Sequence, residues 1–420
     1  MIGSPSFRIG EPKSAPTTME LERIEVKRMM KSERPNESTV GIMTTQTDEH
    51  PPFANRDFYR RLCLLGSRSG LTVFVFTPQS IDWSRPRVTG YVYDATLKEW
   101  GSRTFDLPAI VYDRCFFTAR KQYADYRNAL HGLKRQSSVR LLGHGLKGKW
   151  DVQQALRRDG RFDHHLPETQ PLRSMRTLVD WLRLRGEAIL KPRGGSQGRG
   201  VLLVRREGAS PAGTANAAEA AFTVRGRDSR NRAVACGFAD AGALLRWLRR
   251  FVAQRSYLLQ QYLPLQSQNG DAYDVRALVQ KDGDGRWKLT GMAVRRGQNG
   301  SLTSNLHGGG TVEPIGPFMA REFGPARAEK LLHELKQLAM GLPEALESCH
   351  GRLAELGIDF GVDKDGNSWI LEVNSKPGRS IFTYLQDNQA KLDALANPLR
   401  YARYLLRQPR AQADVRQRQP

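Results

Sequence analysis

No run of about eighteen consecutive apolar residues occurs in the chain, so no membrane-crossing helix is expected. The opening stretch, MIGSPSFRIGEPKSAPTTMELERIEVKRMMKSERP, has no apolar centre of the kind a secretory signal carries. It reads as a polar, disordered tail on a cytoplasmic protein. Cysteine is scarce. Cys63, Cys115, Cys236 and Cys349 are scattered, with no CxxC pair and no histidine partner at metal spacing. That excludes a structural zinc framework and leaves buried free thiols. Acidic residues are in deficit: 43 Asp and Glu face 65 Lys and Arg, a net charge of +22. Such an excess suits an anionic partner (nucleotide, acidic peptide, anionic polymer or nucleic acid) or belongs to an arginine-rich solvated surface with basic tails such as RQPRAQADVRQRQP. An RNP-like segment, a Cys/His finger and a basic heptad helix are all missing, which argues against nucleic acid as the main substrate.

What is present is an ordinary globular composition, 39% hydrophobic and 26% charged over 420 residues, enough for two or three packed units. The class is α/β (α+β). After a tail over 1–39, VGIMTT, the helical NRDFYRRLCLLGSRSG and the apolar LTVFVF give strand, helix, strand. With VTGYVYD and AIVYDRC they make an α/β lobe over 40–118 that contains a parallel pair. Residues 119–186 read as a linking helical region, ending in RSMRTLVDWLRLRG with Gly186 as its cap. A small lobe over 187–263 holds strand AILKP, glycine loop RGGSQGRG, strand VLLVRR, a low-complexity insertion, and a hairpin across DSRN. The strand YLLQQYLPL ends that lobe. A C-terminal lobe over 264–408 carries two hairpins, a helix from about Pro325 to His350 and a final helix from about Ser380 to Arg407. A basic tail occupies 409–420.

The strongest local signal is GIDFGVDKDGNSWILEVN. Asp365-Gly366 is a preferred two-residue hairpin turn, and a turn there sets Asp359 directly opposite Glu372. Side-chain alternation then places Asp359, Gly361, Ser368, Ile370, Glu372 and Asn374 on one face. The other face, Ile358, Phe360, Val362, Trp369, Leu371 and Val373, is wholly apolar. Opposed carboxylates repel. A hard divalent cation reverses that cost, and Mg2+ accepts a few protein oxygens together with nucleotide phosphates. The alternative is a solvated hairpin with both acids in water. Asp363 is either a near neighbour of the site or a turn residue.

Lys191 ends a strand just before GGSQGRG, whose glycines Gly194, Gly195, Gly198 and Gly200 let backbone N–H groups turn inward on an anion, with the Ser196 hydroxyl beside them. It is not a Walker loop, because the GK[ST] ending is missing. Lys149 before a helix, Lys191 with its loop, LLQQYL, DVR and D…EVN together resemble the ATP-grasp superfamily. The thirteen-residue separation of Asp359 and Glu372, followed by Asn374 and Pro377-Gly378, resembles D-alanine–D-alanine ligase, and SNLHGGG resembles glutamate ligases that modify protein C-termini. Across about 40–406 the segments IDW, GYVYD, VYDRCFF, GKWDVQQAL, LPET, ILKPRGGSQGRGV and EVNSKPG are most similar to the YheC/YheD family, associated with endospore coats.

That resemblance implies an ATP-grasp fold with an N-terminal pre-ATP-grasp α/β lobe. It implies ATP held by Lys149, Lys191 and the glycine loop, with Gln260, Gln261, Tyr262 and Leu263 at the adenine edge. The superfamily carries an acid at the Gln260 position, a departure in this chain. Asp274 is expected near the ribose, Arg276 toward the γ-phosphate, and Asp359, Glu372 and Asn374 on one or two Mg2+ ions. Arg296, His307 and Arg379 are the candidates for contacts to an acyl-phosphate or an acceptor. The implied activity is an ADP-forming carboxylate–amine ligase of unknown carboxylate and amine, an acidic peptide or anionic polymer among them, with spore association. The alternatives are a non-catalytic ATP-binding spore coat or structural protein, and a nucleic-acid-binding protein suggested by charge alone.

Overall fold

The computed structural model describes residues 38–117, 119–195, 198–207, 221–297, 310–384 and 387–409, which form three sheets. The first contains β1 (Thr39–Met43), β2 (Thr72–Phe76), β3 (Ile81–Asp82), β4 (Arg87–Asp94), β5 (Glu99–Asp106), β6 (Ile110–Asp113) and β7 (Arg140–Leu141). Helix α1 (Arg56–Arg68) links β1 to β2 and α2 (Arg120–Arg135) links β6 to β7. β1 pairs in parallel with β2 and β6, and β6 with β7. Crossover helices cover such a sheet on both faces, which is why VGIM and VFVF are continuous apolar runs.

The chain then enters α3 (Lys149–Asp159), β8 (Thr169–Pro171), α4 (Met175–Arg185), β9 (Glu187–Pro192), β10 (Leu202–Arg206), β11 (Phe222–Arg227), β12 (Ala233–Phe238), α5 (Ala241–Val252) and β13 (Tyr257–Gln260). The strands order as β12-β11-β10-β9-β13-β8. α4 and α5 cover one face, with Leu178, Trp181, Leu182, Leu244 and Leu248 against Leu190, Leu202, Val204 and Val224. Both helices start at a side-chain cap, Ser174 accepting from Thr177 N and Asp240 from Ala243 N.

The third sheet, β16-β15-β14-β17-β18, is antiparallel throughout. Its strands are β14 (Tyr273–Lys281), β15 (Trp287–Arg296), β16 (Thr311–Pro314), β17 (Glu355–Val362) and β18 (Ser368–Asn374). α6 (Ile315–Phe323) and α7 (Pro325–His350) intervene, and α8 (Ser380–Tyr384) and α9 (Asn388–Arg407) follow. One face of this sheet packs on α3, α6 and α7.

Three expected boundaries shift. β7 pairs with β6, so the first lobe reaches past 118. β8 pairs with β13 and α4 packs on that sheet, so the small lobe begins near Thr169 rather than at 187. The single final helix is two: Asp387 caps α9, accepting from Ala390 N at 2.9 Å. α9 then packs back on the first lobe, where Leu399, Tyr401, Ala402 and Leu405 join Val40, Tyr59 and Leu62 in one core. Only tertiary contacts decide such membership; α4 and β8 look like connectors in isolation.

A buried carboxylate ties the first and third sheets together. Glu355, 2% exposed at the start of β17, accepts from Tyr112 Oη (2.6 Å), Arg114 Nη1 (3.1 Å) and Gln280 Nε2 (3.1 Å), and pairs with Arg379. Burial opposes its ionisation, but Arg379 and Arg114 outweigh that and hold the carboxyl below the usual glutamate range. Glu355→Ala would strand two buried guanidinium groups and should lower the free energy of urea unfolding by about 3–5 kcal/mol. A depressed carboxylate pKa stabilises above the unfolded value. The wild-type advantage should therefore shrink as pH falls below 4.5 and through the folded pKa, seen by unfolding the two proteins across that range.

Candidate functional site

The face of the third sheet turned away from its core carries a row of charge. On β14, Tyr273, Val275 and Ala277 point into the core, so Asp274 and Arg276 point the other way. Arg276 faces Asp359 across the β14–β17 ladder, and Asp359 faces Glu372 across β17–β18. Opposite Asp274 stands Arg295 of β15.

The expected pairing of Asp359 with Glu372 is present, reached by a different path. The loop has three residues, Lys364, Asp365 and Gly366, closed by Asp363 N donating to Asn367 O at 3.1 Å. Only Gly366 needs positive φ (74°), as the last position of such a loop does. Asp363 organises it, accepting from Asp365 N, Asn367 N and Trp369 Nε1 at 2.9–3.0 Å, so it is a turn residue. A bulge between Asp359 and Phe360 then absorbs the extra residue. The face assignment beyond the bulge is corrected accordingly. Ile370 lies opposite Phe360 in the core and Ser368 is buried, while Asp359, Glu372 and Asn374 keep the outward face.

Each acid in the row has a cation. Arg295 grips Asp274 through two bonds of 2.6 Å and reaches Asp359 at 3.0 Å. Arg276 binds Asp359 as a two-pronged fork, Nε donating to Oδ1 and Nη2 to Oδ2. Burial works against ionisation of Asp359, but Arg276 and then Arg295 keep its carboxyl below the usual aspartate range. Glu372 Oε2 accepts from Lys149 Nζ at 3.1 Å. Lys149 is the first residue of α3, whose N-terminus also touches the glycine loop, Lys149 N donating to Arg193 O.

Between this row and the small lobe lies a cleft of about 380 Å³. Lys149, Lys191 and Glu372 supply its charged lining; Val152, Leu156, Leu166, Ile370 and Val373 supply its apolar lining, together with Gln260. Desolvation of the Lys191 ammonium, then the charge of Lys149, push its pKa down to about 7. Gln260 is fixed by its Nε2 bond to Thr169 Oγ1 at 2.8 Å. Gln261 instead accepts from Glu168 N and Tyr262 lies under Arg205, so neither lines the cleft, and Leu263 is not among the lining residues. Gly195, Gly198 and Gly200 have φ of 110°, 68° and 78°, and Gly194 and Gly195 are exposed; Ser196 is outside the described residues.

Three expected contacts are relocated. Asp274 is committed to Arg295 rather than presented to the cleft. Arg296 lies on the core side of the sheet, opposite Tyr273, with Glu313 at 3.0 Å; Arg295 takes the place on the charged face. Alternation allows only one of residues 295 and 296 to face Asp274, and the register of β14 with β15 decides which. Arg379 belongs to the Glu355 network. His307 falls outside the described residues. A second cavity of about 290 Å³, not anticipated, opens at the carboxyl ends of the first sheet's strands, lined by Asp113, His144, Ser375 and Lys376. Burial, then Lys134 and Arg352, push His144 down to about 4. The run EVNSKPG was the available signal for Lys376.

Among the described residues, groups of three or more His, Cys, Asp and Glu do not assemble into a metal cage. Asp359, Glu372 and the Asn374 amide oxygen still fit an ion such as Mg2+ that takes few protein ligands and completes its shell from water and phosphate.

Comparison with known proteins gives the family and the fold. A family model described as YheC/D like ATP-grasp matches residues 138–405. Endospore coat-associated protein YheC of Bacillus subtilis (strain 168) is 29% identical over 367 residues, covering 87% of this chain and 96% of that one. Endospore coat-associated protein YheD of the same organism is 27% identical over 375 residues, covering 87% and 78%. The crystal structure of D-cycloserine synthetase DcsG aligns at a TM-score of 0.50 and 14% identity, covering 87% of this chain and 98% of that one, a likeness of fold. Helices long and apolar enough to cross a membrane are absent among the described residues.

The parity correction is testable by stability. Arg295→Ala should remove both charge-assisted bonds to the buried Asp274 and the contact to Asp359, and cost about 3–5 kcal/mol in denaturant unfolding. Arg296→Ala, at a partly exposed pair with Glu313, should cost no more than about 1 kcal/mol. Equal losses would return Arg296 to the charged face.

Proposed function

The chain belongs to the YheC/D-like ATP-grasp family and has the ATP-grasp fold, and from that premise we propose that it is a Mg-dependent, ADP-forming carboxylate–amine ligase. The observation that carries the reading is the convergence of Lys149, Lys191 and Glu372 on one cleft whose remaining lining is largely apolar. An adenine suits the apolar lining and Gln260, and a triphosphate suits the lysines and the glycine loop. Asp359, Glu372 and Asn374 would hold Mg2+, which would supply positive charge against a triphosphate.

In this proposal Lys149 and Lys191 fix the phosphate chain and Arg276, beside Asp359, meets the terminal phosphoryl group. Arg295 acts through others, holding Asp274 and Asp359 in place. The substrate carboxylate takes the terminal phosphoryl group and ADP leaves. An amine then attacks the activated carbonyl carbon and releases phosphate. Catalysis is positioning and charge neutralisation, so no protein nucleophile is required. Association with the endospore is proposed from the names of the two relatives.

Two measurements test this. Incubation with ATP, Mg2+ and a cell extract, followed by product mass spectrometry, should show ADP and a condensed product that Glu372→Ala abolishes. Tight ATP binding with no turnover across carboxylates and amines would favour a binding protein instead. The Lys191 amine, pushed down to about 7, is largely neutral at pH 8, and a neighbouring triphosphate should restore its proton. Nucleotide binding at pH 8 should therefore take up a proton, read as a buffer-dependent heat in calorimetry and lost in Lys191→Met. Heats independent of buffer would remove Lys191 from the phosphate site.

A further inference from the structure

Half of the net charge sits in one lobe. Residues 172–256 hold seventeen Lys and Arg against six Asp and Glu, and all but Lys191 of the seventeen are arginine. Strand pairing shows which of them share the cleft's face. Gln260, Ile189, Leu203, Arg225 and Ala235 stand directly across from one another on β13, β9, β10, β11 and β12. Lys191 is on that face two residues from Ile189. Arg227 is there too, two residues from Arg225 and opposite Ala233. The two arginines thus lie about 10 Å, two strand spacings, from β9 on one continuous surface.

Beyond them the same face of β12 carries only Ala233, Ala235 and Gly237, all exposed. β12 is the edge of the sheet, and among the described residues its outer side pairs with no strand. Among the described residues no carboxylate lies within ion-pair reach of Arg225 or Arg227, and Arg227 spends one donor on Asn231 O at 2.9 Å. Two cations therefore stand one strand in from a bare shelf at an open edge.

We infer that this edge binds an extended acidic polypeptide, added as a strand alongside β12, with carboxylates at alternate positions reaching over Ala233 and Ala235 to Arg227 and Arg225. The backbone supplies hydrogen bonds to the edge. The two-residue repeat of a strand matches the spacing of the arginines, about 7 Å, and the guanidinium fork suits a carboxylate. Small residues on β12 are what let both sets of side chains meet. A nucleic acid is the poorer match: Leu184 is the lobe's one large exposed hydrophobic residue among those described, and no exposed ring offers a stacking platform. The choice of a carboxylate-bearing polymer rests on the ligase reading, since such a chain brings the group to be activated.

The test uses the full chain, without nucleotide, and a fluorescent peptide of alternating glutamate and alanine, read by anisotropy. The double variant Arg225→Glu/Arg227→Glu should weaken binding at least about tenfold, with ADP affinity by calorimetry unchanged. A peptide N-methylated at alternate amides should also lose binding. Unchanged binding in the double variant, full binding of the methylated peptide, or equal binding of single-stranded DNA of the same charge would each overturn the inference. Failure of turnover would leave the peptide result standing, and loss of the peptide result would leave the nucleotide reading intact.

Discussion

Two carboxylates set side by side on neighbouring strands repel, and the third sheet is organised around that repulsion. Asp359 and Glu372 are cross-strand partners. At about 5 Å and an effective dielectric near 20 the cost is roughly 3 kcal/mol, a large part of a domain's net stability. The protein meets it with Arg276 and Arg295 on one acid and Lys149 on the other. Because Lys149 opens α3 and Arg295 also holds Asp274, the same charge balance fixes the start of a helix and four strands. An arrangement poised between fixed cations and fixed anions is suited to exchange partners with a charged ligand.

β17 carries this balance and the junction between lobes on one face. Glu355, Gly357 and Asp359 alternate along it. Glu355 gathers Tyr112, Arg114 and Arg379 from other parts of the chain. A side chain on Gly357 would strike Pro377, 2.7 Å from an added Cβ. The loop after β18 can therefore lie against the sheet, placing Lys376 on Asp113 at 2.8 Å. The position of the first lobe and the placement of the charged row thus depend on four residues apart on one strand.

Much of this was legible in the sequence. Continuous apolar runs around a helical segment read correctly as parallel strands, and alternation read correctly as the opposition of Asp359 and Glu372. What was not legible had a common cause: membership set by distant partners. β8 has three residues and joins the small lobe only because β13 lies beside it. Arg379 looked like a site residue from its motif, yet it is drawn to Glu355 by a contact that local pattern does not encode. Choosing between Arg295 and Arg296 needed the register with β14.

The hairpin marks the division. Composition and periodicity alone determined that two strands would meet with acids on one face and a core on the other, because a period of two sorts residues wherever the strand lies. Tertiary structure decided how the register was achieved. The hairpin closed with three residues, so a bulge had to restore the pairing and turn Ile370 into the core. It also decided which cations neutralise the acids. Those come from α3, β14 and β15, whose approach is set by packing and carries no local signature.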